Sequence, residues 1–195
     1  MLKQYDMTLA EVSNAWKCVR KAGGSCGYDK QTLQDFEKDL DNQIYKIWNR
    51  MSSGSYMATP VLLAKISKAK GGFRQLGIPT VSSRIARTVI KNRLEPTLEE
   101  KFHEDSFAYR PNKSAIAAVK VCRERCFNHE WLLEIDIKGF FDNLNHDILM
   151  NMLRDYTDDK LILLYSKRFL QCSGIDDQGI EIAREKGATQ GRAIA

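Results

Sequence analysis

Hydrophobic and polar positions alternate along residues 133–138. Leu133, Ile135 and Ile137 fall on one face of this segment, and the polar residues fall on the other. A period of two predicts a half-buried strand, with Asp136 on the polar face. One face of the strand packs against the protein, so the other is free to meet solvent or a ligand.

Apolar residues recur at helical spacing in most other parts of the chain. The predicted helices are 8–21 capped by Thr8, 33–51, 84–94 capped by Ser82 or Ser83, 114–127 capped by Ser114, a helix after His146, and 158–172. Residues 61–68 and 73–78 form two further strand patterns around Gly71 and Gly72, which predicts a basic hairpin. This mixture of elements indicates an α+β or α/β fold.

Basic residues are concentrated in one window of the chain. Between Asp41 and Glu95, fifty-three residues contain no Asp or Glu but include ten Lys or Arg. The whole chain has a net charge of +5, and the residues outside this window carry −5. Cations without neighbouring counter-charges are typical of proteins that bind a polyphosphate such as nucleic acid. The window contains no basic amphipathic helix with a continuous apolar face, which disfavours a membrane surface.

Length and composition limit the class of protein. The chain has 195 residues and 43% hydrophobic content, enough for one sizeable core or two small lobes, which excludes a disordered chain. No segment has the pattern of a signal peptide or a membrane span. The chain has five cysteines, and an odd number favours reduced thiols over a secreted disulfide framework. We therefore expect a cytoplasmic protein.

One group of cysteine and histidine residues has the spacing of a metal site. Cys122, Cys126 and His129 are four and three residues apart, which brings them to one face of the predicted helix. The remaining cysteines complete no recognisable zinc motif, so we interpret the group as helix packing. His103 and His146 have no Ser or Cys at motif spacing, so we assign neither to nucleophilic catalysis.

Asp136 is the strongest candidate for chemistry. A carboxylate on a strand that opens into a cleft suits Mg2+, which prefers oxygen ligands and usually takes one or two from protein. On a straight strand Asp142 would lie roughly 20 Å away, too far to share the ion. Taken alone, Asp136 also fits a solvated strand residue. The basic window favours the functional interpretation.

Five ordered motifs of the chain resemble those of bacterial group II intron reverse transcriptases, also called intron-encoded maturases. The motifs are GGSCGYDK with SGSYMATPV, GGFRQLGIPTVSSR, FAYRPNKSAIAAV, EIDIKGFFDNLNHDIL and GATQG. Together they cover nearly the whole chain. The resemblance implies the α+β fold of right-hand polymerase fingers with the start of the palm. It places a helical N-terminal extension at 1–57, fingers with the basic hairpin at 58–115, and a partial palm at 116–195.

The resemblance implies RNA-directed DNA polymerase activity by a two-metal mechanism. Asp136 matches the first metal-binding aspartate, and the backbone carbonyl of Ile137 matches a further ligand to Mg2+. Phe141 matches the aromatic gate that blocks a ribose 2′-hydroxyl. The residues that match the other dNTP-binding groups are Lys68, Arg74, Gln190 and Gly191.

The implied partners are RNA, as intron or template, a primer-template duplex and dNTP. We assign nucleic-acid contacts to the basic residues Lys65, Lys70, Arg84, Arg87, Lys91 and Arg110. The paired-aspartate motif that supplies the remaining metal ligands does not occur, and the chain looks cut off before it. We therefore expect an incomplete two-metal site and no activity from this fragment alone. The alternatives are a non-catalytic RNA-binding maturase, or a related reverse transcriptase recruited to phage defence or CRISPR adaptation.

Overall fold

The computed structural model describes residues 3–67 and 71–188. The helices in these ranges are α1 (Leu9–Ala22), α2 (Leu33–Glu37), α3 (Leu40–Ser52), α4 (Val81–Glu99), α5 (Ala115–Cys126), α6 (Phe140–Asn143), α7 (His146–Tyr156) and α8 (Lys160–Leu170). The strands are β1 (Val61–Ser67), β2 (Phe73–Ile78), β3 (Gly174–Ile175) and β4 (Glu181–Ile182). The presence of helices together with one small sheet confirms the predicted α+β class. Of the helices described, none is long and apolar enough to cross a membrane.

Helices α1 and α2 begin where side chains satisfy their free amides. At the start of α1, the Thr8 hydroxyl accepts a hydrogen bond from the amide of Glu11. The Glu11 carboxylate in turn accepts a hydrogen bond from the amide of Thr8. The single helix predicted over 33–51 is wrong, because the structure divides it into α2 and α3. At Asp39, φ is −132° and ψ is 43°, outside the helical region, so the chain turns there.

The predicted hairpin is present and is part of a larger sheet. β1 and β2 pair antiparallel, from Leu62 opposite Ile78 to Ser67 opposite Phe73. β1 also pairs parallel with β3, and β3 pairs antiparallel with β4, which gives the order β2-β1-β3-β4. The sequence did not predict β3 or β4, since two-residue strands contain too few positions to show alternation.

Helix α4 is longer at both ends than its predicted range. It begins after Thr80, whose hydroxyl accepts a hydrogen bond of 3.2 Å from the amide of Ser83, so the predicted cap at Ser82 or Ser83 is wrong. It also continues through Pro96, which the sequence placed beyond the helix end. The carbonyl of Asn92 loses its helical donor to this proline, but Asn92 is an exposed residue, where hydration offsets the loss.

One hydrophobic core receives residues from all three predicted domain ranges. Trp16 and Phe36 stack with their ring centroids 5.1 Å apart, and Ile85 of α4 and Tyr165 of α8 belong to the same buried cluster. The Tyr165 hydroxyl donates to the carbonyl oxygen of Met51 at 3.0 Å, which joins α8 to α3. Burial raises the pKa of Tyr165 to about 12, so this hydroxyl keeps its proton at neutral pH. The domain boundaries themselves stay a prediction.

The strand predicted over 133–138 is not formed, so this prediction is wrong. Its apolar residues Leu133, Ile135 and Ile137 are 82%, 78% and 65% exposed. A strand needs a hydrogen-bonded neighbour, and none of the described strands pairs with this segment. Helix α5, which precedes it, buries none of its residues.

Candidate functional site

The predicted site residues are only partly covered by the structure. Lys68, Lys70, Gln190 and Gly191 lie outside the described residues, as does the side chain of Arg74. The candidate site is therefore built from the segment between Asp136 and α7 and from Lys186, Gly187 and Ala188.

Gly139 turns the chain between Asp136 and the two phenylalanines. Its φ of 63° and ψ of 33° are left-handed, a conformation that glycine adopts without the steric penalty of a β-carbon. The Asn143 side-chain amide donates to the carbonyl oxygen of Gly139 at 3.1 Å, which fixes this turn at the start of α6. Gly139 therefore turns the chain into α6, although none of the described strands precedes it directly.

The adjacent residues Phe140 and Phe141 differ in exposure. Their rings meet edge to face, with centroids 5.4 Å apart and an interplanar angle of 78°. Phe140 is 47% exposed, whereas Phe141 is half-buried. Phe141 is therefore the phenylalanine held more firmly by its surroundings.

The chain before residue 189 is hydrogen-bonded to the backbone around Phe141. The amide of Ala188 donates a hydrogen bond of 2.7 Å to the carbonyl oxygen of Phe141. The amide of Gly187 donates a hydrogen bond of 2.7 Å to the carbonyl oxygen of Leu144. The Nζ atom of Lys186 donates to the Asn143 side-chain oxygen at 3.1 Å. These contacts bring the start of the GATQG motif beside the predicted aromatic gate.

Close packing at Gly187 requires glycine. Its φ is +82°, and a β-carbon at this position would lie 2.8 Å from the carbonyl oxygens of both Phe141 and Asp142. Such a separation is shorter than van der Waals contact, so any side chain would push the two segments apart. The glycine therefore sets how closely the two motifs approach.

His146 is a site residue that the sequence analysis missed. Its side chain is buried at the start of α7, and its Nε2 atom lies 2.7 Å from the carbonyl oxygen of Gly187. Because a carbonyl oxygen only accepts, Nε2 carries the proton in this contact. The available signal was the position of His146 next to the Asn145 cap within the fourth motif. Local sequence did not reveal its distant partner.

Asp136 is exposed and lies on a segment without regular secondary structure. Its carboxylate and the Ile137 carbonyl are hard oxygen donors of the kind that Mg2+ prefers. Within residues 3–67 and 71–188, no three His, Cys, Asp or Glu side chains are grouped so as to hold a metal ion.

The predicted nucleic-acid contacts Lys65, Arg84 and Lys91 lie at or near the surface. The Lys65 ammonium is 3.7 Å from Asp177, and the Lys91 ammonium is 3.1 Å from Glu95. Arg84 is half-buried and donates to backbone carbonyls of the loop after α1 at 2.9 and 3.1 Å. Exposed ion pairs contribute little to stability, so a phosphate can replace either carboxylate.

Arg87 and Arg110 occupy structural positions, which does not favour their predicted role as phosphate contacts. Arg87 is 5% exposed, its guanidinium lies 4.8 Å from the Phe169 ring centroid, and burial lowers its pKa. Arg110 donates to both carboxylate oxygens of Glu99 at distances of 2.7 to 3.1 Å. It also donates to two backbone carbonyls of the loop after α4. Contact with a phosphate would require each guanidinium to leave these surroundings.

Comparison with known proteins gives one family and several intron-encoded relatives. The family model described as reverse transcriptase (RNA-dependent DNA polymerase) matches residues 66–195. The chain is 28% identical over 156 residues to the putative COX1/OXI3 intron 1 protein of Saccharomyces cerevisiae, covering 79% of this chain and 19% of that protein. It is 30% identical over 177 residues to protein YkfC of Escherichia coli, covering 88% of this chain and 45% of that protein.

A third relative is the group II intron-encoded protein LtrA of Lactococcus lactis subsp. cremoris. It is 28% identical over 158 residues, covering 80% of this chain and 26% of that protein. The chain thus spans less than half the length of each of these three relatives.

Proposed function

This chain belongs to the reverse transcriptase (RNA-dependent DNA polymerase) family, within its group II intron and maturase members, and we propose that it forms the nucleotide-binding and RNA-binding part of such a polymerase. The substrates in this proposal are a dNTP and a primer annealed to an RNA template. The reaction is attack of the primer 3′-hydroxyl on the innermost phosphorus of the dNTP, with release of pyrophosphate.

The contact between Phe141 and Ala188 is the observation that carries the proposal. Ala188 belongs to the GATQG motif, so this hydrogen bond brings the residue matched to the aromatic gate beside the first two residues of that motif. In this proposal the Phe141 ring faces the sugar of an incoming nucleotide, where a 2′-hydroxyl would collide with it.

Asp136 supplies the acidic part of the proposed site. Its exposed carboxylate and the Ile137 carbonyl would hold Mg2+, and the ion would stabilise negative charge on the transferred phosphoryl group. Further carboxylates are needed to complete the site, and the sequence carries no aromatic-Ala-Asp-Asp motif to supply them. We therefore propose that the 195 residues alone do not extend a primer.

The proposed nucleic-acid surface is drawn from the exposed basic residues. Lys65 on β1 and Lys91 on α4 belong to it, and Lys68, Lys70 and Arg74 in the same sequence window are proposed to join them. Arg84 lies at its edge. Arg87 and Arg110 are left out, because one is buried and the other is committed to Glu99.

Primer extension by the full-length protein tests the proposal. Asp136→Ala should abolish extension on an RNA template while leaving RNA binding unchanged, because the substitution removes a metal ligand from an exposed position. Asp142→Ala is the matched control, since Asp142 is an exposed carboxylate six residues further on and is assigned no ligand role. Extension that persists in Asp136→Ala would contradict the assignment. RNA binding by a full-length protein that extends no primer would favour the non-catalytic maturase.

A further inference from the structure

Arg87 is a buried arginine whose guanidinium lacks the acceptors that burial normally requires. The residue is 5% exposed, and its Nε and Nη2 atoms are buried without a hydrogen-bond partner among the described residues. Buried polar groups are nearly always hydrogen-bonded, and an unpaired buried charge is costly. This side chain therefore needs an acceptor that the described part of the chain does not supply.

The two unpaired atoms lie on one edge of the guanidinium. The N–H groups of Nε and Nη2 on this edge point in parallel, and such a fork binds two oxygens of one carboxylate or phosphate. The Phe169 ring packs near the same guanidinium, with its centroid 4.8 Å from the guanidinium carbon. The unpaired edge of Arg87 thus has the geometry to bind a single oxyanion.

Two further buried donors near Arg87 are also unpaired. The Ser83 hydroxyl is one helical turn before Arg87 on the same face of α4, is fully buried and has no partner among the described residues. The Nε atom of Arg184 is likewise buried and unpaired there. Burial lowers the pKa of Arg87, and the nearby charge of Arg184 lowers it further. Two cations and a hydroxyl are therefore grouped in this region.

No carboxylate of this chain neutralises the two guanidiniums. Among the described residues, no ion pair includes Arg87 or Arg184. The residues outside the described ranges include no Asp or Glu. The Cys172 thiol is close to both guanidiniums, but burial raises its pKa, so it stays neutral at pH 7. An anion from solution has the charge that this region lacks.

An open cavity next to this region gives access from solvent. Its volume is about 350 Å3, and it is lined by Arg184 and by Gln171, the residue before Cys172. Lys186 adds a positive charge to the lining. The carboxylates of Asp147 and Glu185 also line the cavity, but both residues are exposed, so water and salt screen their charge. A small anion can therefore enter on the side of Arg184.

We propose that Arg87 and Arg184 bind a small free oxyanion such as inorganic phosphate, with two of its oxygens on the Nε and Nη2 atoms of Arg87. A nucleic-acid phosphate carries a chain on each side and does not reach so deep a position, whereas a free anion has no attached chain. The bound anion joins α4 to the segment that carries Arg184 and continues to Gly187. It thereby supports the approach of the GATQG motif to Phe141.

Thermal unfolding of the chain in phosphate and in chloride at equal ionic strength tests this proposal. The unfolding temperature should rise with phosphate concentration, because a ligand that binds only the folded state stabilises it by mass action. Sulfate, an oxyanion of the same shape, should act in the same way. Arg87→Lys keeps the charge but loses the fork, so phosphate affinity should fall on the order of tenfold. Broadening of the phosphorus NMR line of inorganic phosphate measures binding directly.

Arg87→Met distinguishes an anion site from an arginine with a purely structural role. Methionine is of similar length but uncharged, so it removes the cost of an unpaired buried cation. In chloride the variant should unfold at the same temperature as the parent chain or higher, and in saturating phosphate it should unfold at a lower temperature. An equal loss of stability in both buffers would mean a structural arginine and would overturn the proposal.

Arg20→Lys is the matched control, because Arg20 is an exposed arginine that pairs with Glu37. It should leave the effect of phosphate unchanged. Equal stabilisation of Arg87→Lys and the parent chain by phosphate would mean an adventitious ion only and would overturn the proposal. An unfolding temperature that does not depend on phosphate would assign the unpaired donors to buried water, with the same consequence. Phosphate binding by this chain but not by the full-length protein would also overturn it, since a carboxylate of the longer protein would then occupy the fork.

Discussion

The backbone amide of Ala188 donates a hydrogen bond of 2.7 Å to the carbonyl oxygen of Phe141. This contact joins two motifs that are far apart in the sequence, the one that contains Asp136 and the one that ends at Gly191. Because both partners are backbone atoms, the contact does not depend on the side chain at either position. It depends instead on Gly187, which allows the two segments to approach.

Gly187→Ala should separate the two segments. The new β-carbon would lie 2.8 Å from two carbonyl oxygens and would also sit at a φ of +82°. We expect a loss of roughly 1–3 kcal/mol of local stability and faster hydrogen exchange at the Ala188 amide. In the full-length polymerase, KM for dNTP should rise. Gly179→Ala is the control, because Gly179 has the same φ but nothing within 4 Å of the added carbon. Equal effects of the two substitutions would contradict the close-approach argument.

Phe141→Ala should relax sugar selection in the full-length polymerase. Removal of the ring removes the surface that would collide with a 2′-hydroxyl, so incorporation of ribonucleotides should increase relative to deoxyribonucleotides. Single-nucleotide incorporation with paired dNTP and rNTP measures this ratio. Phe140→Ala is the matched control, since Phe140 is 47% exposed and lies edge to face against Phe141. Relaxed selection in Phe140→Ala alone would reverse the assignment.

RNA binding should weaken steeply with salt. If roughly six phosphates are neutralised, the slope of log affinity against log salt should be about −5 on a duplex. Lys91→Glu should reduce this slope by about one and weaken binding. Lys120→Glu is the matched control, because each lysine belongs to an exposed pair with a glutamate four residues later. Fluorescence anisotropy at several salt concentrations measures the slope, and a slope between zero and −1 would rule out this surface.

Stability should fall in acid through the Glu11 carboxylate. Burial alone would raise the pKa of Glu11, but hydrogen bonds from Arg93 and Thr8 outweigh it and lower the pKa below its usual value. A lowered folded-state pKa stabilises the fold above the ordinary value near 4.5, and this contribution is lost as the pH falls through the folded-state value.

Urea unfolding at pH 7 and pH 3.5 checks this dependence. Glu11→Gln should reduce the free energy of unfolding at pH 7 by at most about 1 kcal/mol, since solvent partly screens the ion pair of Glu11 and Arg93. The variant should also lose less stability than the parent protein between pH 7 and pH 3.5. Glu37→Gln is a control, because Glu37 pairs with Arg20 at a more exposed position. If Glu11→Gln lost as much stability between pH 7 and pH 3.5 as the parent protein, Glu11 would not be the source of the acid dependence.

The starts of several helices and the positions of the turns could be predicted from the sequence. Thr8, Ser114 and Asn145 each cap a helix through a hydrogen bond to an amide two or three residues away. The hairpin around Gly71 and the break at Gly139 are equally local. Such contacts form between residues that are close in the chain, so the local sequence is enough to predict them.

Only the tertiary structure decided which charged side chains form ion pairs and which are buried. The sequence shows a basic window without acids, but the fold places Asp177 beside Lys65 and places Glu11 and Asp159 beside Arg93. It also buries Arg87, which the sequence presented as one more surface cation. Coulomb interactions act through space, so spacing along the chain does not reveal which charges meet.

The same distinction holds for the site. Alternation marked 133–138 as able to form a strand, but a strand also needs a neighbour, and the described residues provide none. Conversely, nothing local marked Gly187 or His146 as contacts of the segment after Asp136. The sequence alone determined the family motifs and the starts of those helices that a neighbouring side chain caps, such as α1, α5 and α7. The pairing of distant backbone groups was decided by the fold, because hydrogen bonds form only between groups that folding brings within about 3 Å.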